Sequence, residues 1–194
     1  ESEATIVEEL LKFATSGNLY RGAKPGMWSP VEKTALAEAE VEYEDIVSTQ
    51  IDVAFEITES PIAELVGAHA VIWTTTPWTL PANEAVSVHP ELTYDLVETE
   101  KGALLLVREL AEVALKRYGL EGAVVASTTG DKLDQILLKH PFQNRDVAII
   151  CGTHVTTEAG TGLVHTAPAH GVDDYNIGKK YGLPVNNPVG NDGR

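Results

Sequence analysis

Four threonines, two tryptophans and an asparagine crowd into residues 73–83, Trp73-Thr74-Thr75-Thr76-Pro77-Trp78-Thr79-Leu80-Pro81-Ala82-Asn83. Two prolines stiffen this stretch, so its hydroxyls and amide can offer hydrogen bonds in fixed directions. That suits holding an ester carbonyl and an attacking water. The same composition also suits a strand end whose threonines serve β-propensity and local backbone bonds. A second stretch, Gly160-Thr161-Gly162-Leu163-Val164-His165-Thr166-Ala167-Pro168-Ala169-His170-Gly171-Val172-Asp173-Asp174-Tyr175, sets two histidines and two aspartates around a Gly/Pro loop. An aspartate at a turn-to-helix junction can simply be an N-cap. On residue types alone, His165, His170 and Asp174 could also ligate a metal, although their spacing matches no recognised ligand motif.

Other chemistry-bearing residues carry less. Cys151 could act as a nucleophile beside His154. Its place at the end of the apolar run Val147-Ala148-Ile149-Ile150 points instead to a buried structural thiol. His69, His89 and His140 read as structural. One cysteine rules out an internal disulfide framework and a cysteine-built zinc site. It fits a reducing compartment. The net charge of −15, from 29 acidic and 14 basic residues, argues against a tight autonomous nucleic-acid binder. It still permits a domain that receives one end of a nucleic acid held elsewhere. No apolar run approaches about 20 residues, so no transmembrane helix is expected. The chain opens at Glu1 and its only methionine is Met27, which suggests a fragment of a longer protein.

Short elements must position the two stretches. Ile6, Val7, Leu10, Leu11 and Ala14 have helical spacing, and Gly17 is a stop signal. Residues 34–42 fit a short helix or a strand. Ile51, Val53, Phe55 and Ile57 alternate with more polar neighbours, as in a half-buried strand. Strands are also expected over 69–75, 92–98, 103–107, 122–127 and 147–150, and helices over 108–117 and 173–181. Asp173 and Asp174 would lie in the first turn of that last helix, where carboxylates suit its dipole. Many short strands with a few helices imply a β-rich α/β domain, with a barrel among the candidate architectures.

Together the two stretches resemble the editing domain inserted in isoleucyl-tRNA synthetases. The first looks like that family's threonine-rich loop, where related valyl and leucyl enzymes carry an arginine after a shorter threonine pair. The second is similar to the family's second editing motif. Its His165 resembles the isoleucyl branch, since the valyl branch tends to carry lysine there. Gly22-Ala23-Lys24-Pro25 and Ala35-Leu36-Ala37-Glu38-Ala39-Glu40-Val41-Glu42-Tyr43 resemble the segment joining the synthetase body to the insert. Gly26-Met27-Trp28 departs from that pattern, which has valine before the variable residue and tryptophan.

The resemblance implies an α/β fold centred on a β-barrel, of the class I Val/Leu/Ile editing type. It divides the chain into a joining segment, 1–45, and an editing domain, 46–194, truncated at its C-terminal end. It implies hydrolysis of valine wrongly attached to isoleucine tRNA, or wrongly activated as valyl-adenylate, with no cofactor, metal or covalent nucleophile. Asp174 would bind the α-ammonium group. Thr75 and Thr76, with Thr74, would position the ester carbonyl and the water. Asn83 would bind the terminal adenosine or order the loop. His165, Trp78 and Thr79 would wall the side-chain pocket, and His170 would join the substrate-binding set. The implied partners are the charged 3′-terminal adenosine of isoleucine tRNA and the rest of the synthetase chain. No membrane or DNA partner is implied, and the location would be cytoplasmic. The ATP-binding motifs of the synthetase are absent from these residues, so adenylation is not expected of them. Two rival readings are a non-catalytic module for the tRNA acceptor end and a metal-dependent hydrolase using His165, His170 and Asp174.

Overall fold

Helical spacing of apolar residues over 3–16 yields helix α1 (Ser2–Thr15), which stops before Gly17. The computed structural model describes residues 2–194. No side chain of α1 is buried, so Ile6, Val7, Leu10 and Leu11 stay exposed. A two-stranded ribbon follows, β1 (Trp28–Ser29) against β2 (Thr34–Ala35). Residues 34–42, open between helix and strand by periodicity, hold β2 and a single 3-10 turn over Glu38–Glu40.

The expected alternation over 51–57 produces β3 (Ile51–Glu59), which buries Phe55 and Ile57 completely. The remaining strands are β4 (His69–Thr74), β5 (Ala85–Val88), β6 (Thr93–Thr99), β7 (Gly102–Val107), β8 (Gly122–Thr129), β9 (Leu137–Lys139), β10 (Asp146–Cys151) and β11 (Leu163–Thr166). Helix α2 (Arg108–Tyr118) follows β7, and α3 (Val172–Tyr181) follows β11. Of the nine strands of the main sheet, three escaped the sequence reading. β5 and β9 are short, and β11 lies inside the stretch that reads as a Gly/Pro loop.

The fold class is mixed α/β, as expected, but the sheet is not a closed barrel. Nine strands run in the order β11-β5-β10-β9-β3-β4-β7-β6-β8. The β10–β5 and β4–β7 pairs are parallel, and the other pairs are antiparallel. The sheet coils until β11 lies against β4, yet no ladder joins those two strands. Strand twist drives such coiling without requiring closure. The far edge, β8, is largely exposed, including Val124 and Val125.

The coiled sheet encloses the main core, where Phe55, Ile57, Ile72, Tyr94, Leu105, Leu138 and Ile149 are buried. Each such side chain contributes roughly 1.5–3 kcal/mol by leaving water. Helix α2 covers the outer face with Ala111 and Ala114 against Val71, Leu104 and Leu106. Helix α3 is pinned by Ile177 against Ala85 and Ile150. The core thus fixes β4, β5, β11 and α3, the elements that carry the two chemical stretches.

Candidate active site

The threonine stretch is the exit from β4. Thr74 is buried at the strand end, and its Oγ1 accepts the backbone N–H of Thr76 at 3.1 Å. This hydroxyl-capped turn directs the chain into a 3-10 helix, Pro77–Ala82, with proline in its first turn. Thr75 and Thr76 are left exposed at the bend. Thr76 Oγ1 lies 3.3 Å from Thr74 Oγ1. Ser48 Oγ donates to the Thr75 carbonyl at 2.8 Å, tying the preceding segment to the loop.

His165 comes from β11 and is buried at 7% exposure. Both its ring nitrogens are engaged, Nδ1 with Asn83 Nδ2 at 2.7 Å and Nε2 with Thr79 Oγ1 at 2.8 Å. An amide NH₂ can only donate, so Nδ1 accepts and Nε2 carries the proton. Thr79 Oγ1 then accepts from Nε2–H and donates to the Thr76 carbonyl at 2.8 Å. The orientation of the amide is fixed by its second bond, Asn83 Nδ2 to the Ala85 carbonyl at 2.8 Å. Turning the amide over would set its oxygen against two acceptors. Burial, with the nearby His170 and His140 rings, lowers the His165 pKa to about 4. The imidazole is therefore neutral at physiological pH, a fixed wall and not a charge.

Asp174 sits in the first turn of α3, as the sequence predicts. Its Oδ2 accepts the Ala167 N–H at 3.2 Å. Burial pushes its pKa up to about 6, against that hydrogen bond, and the neighbouring Asp173 adds to the rise. A half-buried carboxylate with one donor is short of counter-charge, which suits a cationic ligand.

Thr74, Thr75, Thr76, Thr79, His165, His170 and Asp174 line one cavity of about 360 Å³. It lies at the unladdered seam between the ends of β4 and β11. The chain around Gly160 and Gly162 closes one side. Gly162 has φ +75°, and a Cβ there would fall 2.3 Å from Val107 Cβ. Only glycine permits that close approach.

Two expected site residues lie elsewhere. Asn83 is wholly buried behind His165, where it offers no surface to an adenosine and fits the alternative role of ordering the loop. Trp78 does not line the cavity; it is 62% exposed and meets the His170 ring edge-on, with centroids 5.9 Å apart. Conversely, Trp73, His154, Thr156 and Glu158 line the cavity and were not singled out for it. Trp73 stands in the first stretch, whereas the other three lie in a loop with no motif to mark them. Among the described residues no group of three His, Cys, Asp or Glu side chains is arranged to hold a metal ion. With both nitrogens engaged, His165 has no lone pair to give. Cys151 is half-buried, its Sγ directed at the Gly130 carbonyl at 3.5 Å, and burial raises its pKa. That is the environment of a structural thiol.

Comparison with known proteins agrees with this geometry. Residues 48–194 match the family model described as "Leucyl-tRNA synthetase, editing domain". The isoleucine–tRNA ligase of Dechloromonas aromatica is 73% identical over 203 residues, which is 100% of this chain and 22% of that protein. The ligase of Nitrosomonas europaea is 55% identical over 205 residues, 99% of this chain and 22% of that protein. The chain thus spans under a quarter of the length of these relatives. Among solved structures, the leucyl-tRNA synthetase domain GlLeuRS-CP1 superposes with a TM-score of 0.58 at 18% identity, covering 71% of this chain and 66% of that one. The editing domain of the P. falciparum cytosolic leucyl-tRNA synthetase gives 0.52 at 14% identity, covering 59% and 47%. These two likenesses speak for the fold alone. With its β4 and β11 motifs gathered on one cavity and the family model spanning 48–194, the chain belongs to the editing-domain family of the aminoacyl-tRNA synthetases.

Proposed function

We propose that this domain hydrolyses the ester between valine and isoleucine tRNA, within an isoleucine–tRNA ligase. The observation that carries this reading is the pairing, in one cavity, of the half-buried carboxylate of Asp174 with the threonine bend. Asp174 holds the α-ammonium group of the misattached amino acid. Thr74, Thr75 and Thr76 position the ester carbonyl and a water, so that catalysis proceeds by placement and electrostatics. The cavity-lining Thr79 and His165 limit the size of the side chain, His170 lies beside them, and Trp78 stands outside near His170. Residues 1–45 serve as the joining segment and 46–194 as the editing unit. The 3′-terminal adenosine of the tRNA and valyl-adenylate are the ligands, and the rest of the ligase is the covalent partner.

A second pocket is needed because one methylene gives a binding site only about 1–3 kcal/mol of discrimination, a figure for which the isoleucyl enzyme is itself the reference case. A pocket too small for isoleucine completes the selection, since overlap costs more than a missing contact. The neutral, doubly bonded His165 suits that task. It cannot swing aside without breaking two buried hydrogen bonds.

Two substitutions in the full-length ligase test the reading. Asp174→Ala should abolish deacylation of valyl-tRNA, with a loss of about 2–5 kcal/mol in transition-state stabilisation, and leave aminoacylation near normal. His165→Ala should admit isoleucine, so that correctly charged tRNA is attacked. Wild-type deacylation in the first variant rejects the assignment of Asp174, and full protection of isoleucyl-tRNA in the second rejects His165 as the size gate.

A further inference from the structure

A short helix ends in carbonyl groups that lack helical partners. Here the carbonyls at the end of the 3-10 helix Pro77–Ala82 and in the turn after it meet the β9–β10 connection; the Leu80 carbonyl, which already accepts the Asn83 N–H at 3.0 Å, gains a second donor there. His140 Nε2 bonds the Leu80 carbonyl at 3.1 Å, and Gln143 Nε2 donates to the Pro81 carbonyl at 3.0 Å. Arg145 Nη2 donates to the Asn83 carbonyl, and Arg145 Nη1 meets Glu84 Oε2 at 3.1 Å. These are four contacts from one connection onto residues 80–84.

The connection is itself stiff. His140 Nδ1 accepts the Gln143 N–H at 3.1 Å, which leaves Nε2 as the protonated, donating nitrogen. The rings of Phe55 and Phe142 stand edge-on to the imidazole, with centroids at 6.0 and 4.6 Å. Arg145 Nε donates to Gln143 Oε1 at 2.7 Å. Neither His140, Gln143 nor Arg145 lines the cavity. Arg145 acts directly at Asn83, gripping its backbone carbonyl, while His140 and Gln143 hold Leu80 and Pro81 just before it; the Asn83 side chain holds His165 at 2.7 Å. A hydrogen bond weakens steeply with misalignment, so the Asn83 backbone must be held for its amide to stay in register.

We propose that residues 140–145 form a brace that sets the position and tautomer of His165 through Asn83, with Arg145 as a positioning residue for amino-acid specificity. The link to specificity rests on the reading of His165 as the size gate. The link from Arg145 to His165 does not. A merely structural loop would change stability when cut and leave the His165 ring as it was.

The test is ¹⁵N NMR of the histidine-labelled chain, paired with deacylation by the full-length ligase, in wild type, Arg145→Ala and Gln143→Ala. In wild type the two His165 nitrogens should give the signature of the Nε2–H tautomer. In Arg145→Ala they should shift toward a mixture of tautomers, while near-UV circular dichroism still reports a folded chain. The ratio of isoleucyl- to valyl-tRNA deacylation should rise about tenfold. An unchanged His165 spectrum in a folded Arg145→Ala chain overturns the brace. A changed spectrum with unchanged discrimination upholds the brace and overturns the size-gate reading. Should Arg145→Ala fail to fold, Gln143→Ala removes a single contact on residues 80–84 and is judged by the same spectrum, with a smaller shift expected.

Discussion

His165 and Asp174 both lose solvent, the first more than the second, with opposite results. Burial disfavours the charged form of each, so the histidine pKa falls to about 4 and the aspartate rises to about 6. Deacylation should therefore decline as pH falls through about 6, because the protonated acid no longer holds an ammonium group. For stability the sign runs the other way. The folded state binds the Asp174 proton more tightly than the unfolded chain, so this group's contribution is full below about 4 and is lost as pH rises through about 6. Asp174→Asn should thus raise stability at pH 7 by of order 1–3 kcal/mol and show little gain at pH 4, as measured by urea unfolding. Equal gains at both values would refute the burial of a charge as the cause. His165 acts oppositely, its contribution being present above pH 6.5 and lost as pH falls toward about 4. Residue types and spacing made most of the cavity legible, since hydroxyls, histidines and aspartates clustered in two short stretches. They could not show that Asn83 supports His165 from behind. That depends on β5 and β11 pairing, with His165 opposite Val86, which brings the end of the first stretch against the second.

Among the elements, the long periodic ones were readable and the short ones were not. β3 follows from alternation, and α1 and α2 from helical spacing. β11 escaped because its four residues are flanked by Gly160, Gly162 and Pro168, which read as loop formers. Those glycines do not interrupt the strand; they let its entry lie flat on β4 and β7. Thr161 offers its carbonyl to the Val107 N–H at 2.9 Å. A methyl group at Gly162 meets Val107 and an unfavourable φ together. Gly162→Ala should therefore cost roughly 2–5 kcal/mol by thermal or urea unfolding. Gly182→Ala shares the positive φ but would meet nothing within 4 Å, so it should cost less and serves as the control. Equal losses would show that the Val107 contact is unimportant. The expectation of a barrel captured the coiling of the sheet but not its open join, since no feature of the sequence distinguishes a strand pair that bonds from one that only abuts.

At the scale of the whole molecule, charge and topology set the terms of use. A net charge of −15 leaves few contacts for a phosphate backbone, whose grip depends on lysine and arginine. The isolated chain should bind whole tRNA weakly at moderate salt, with the remainder of the ligase supplying the grip. A titration giving nanomolar affinity would show a basic surface hidden within the total. No helix among the described residues is long and apolar enough to cross a membrane. The open join between β4 and β11 has its own consequence. A hydrogen-bonded ladder would fix the two strands about 4.8 Å apart and leave no room for a ligand between them. Where they merely abut, the gap is set by side chains, with Trp73 of β4 beside Gly160. The width of the cavity is then adjustable in increments of a single methyl group, finer than any change of strand register allows.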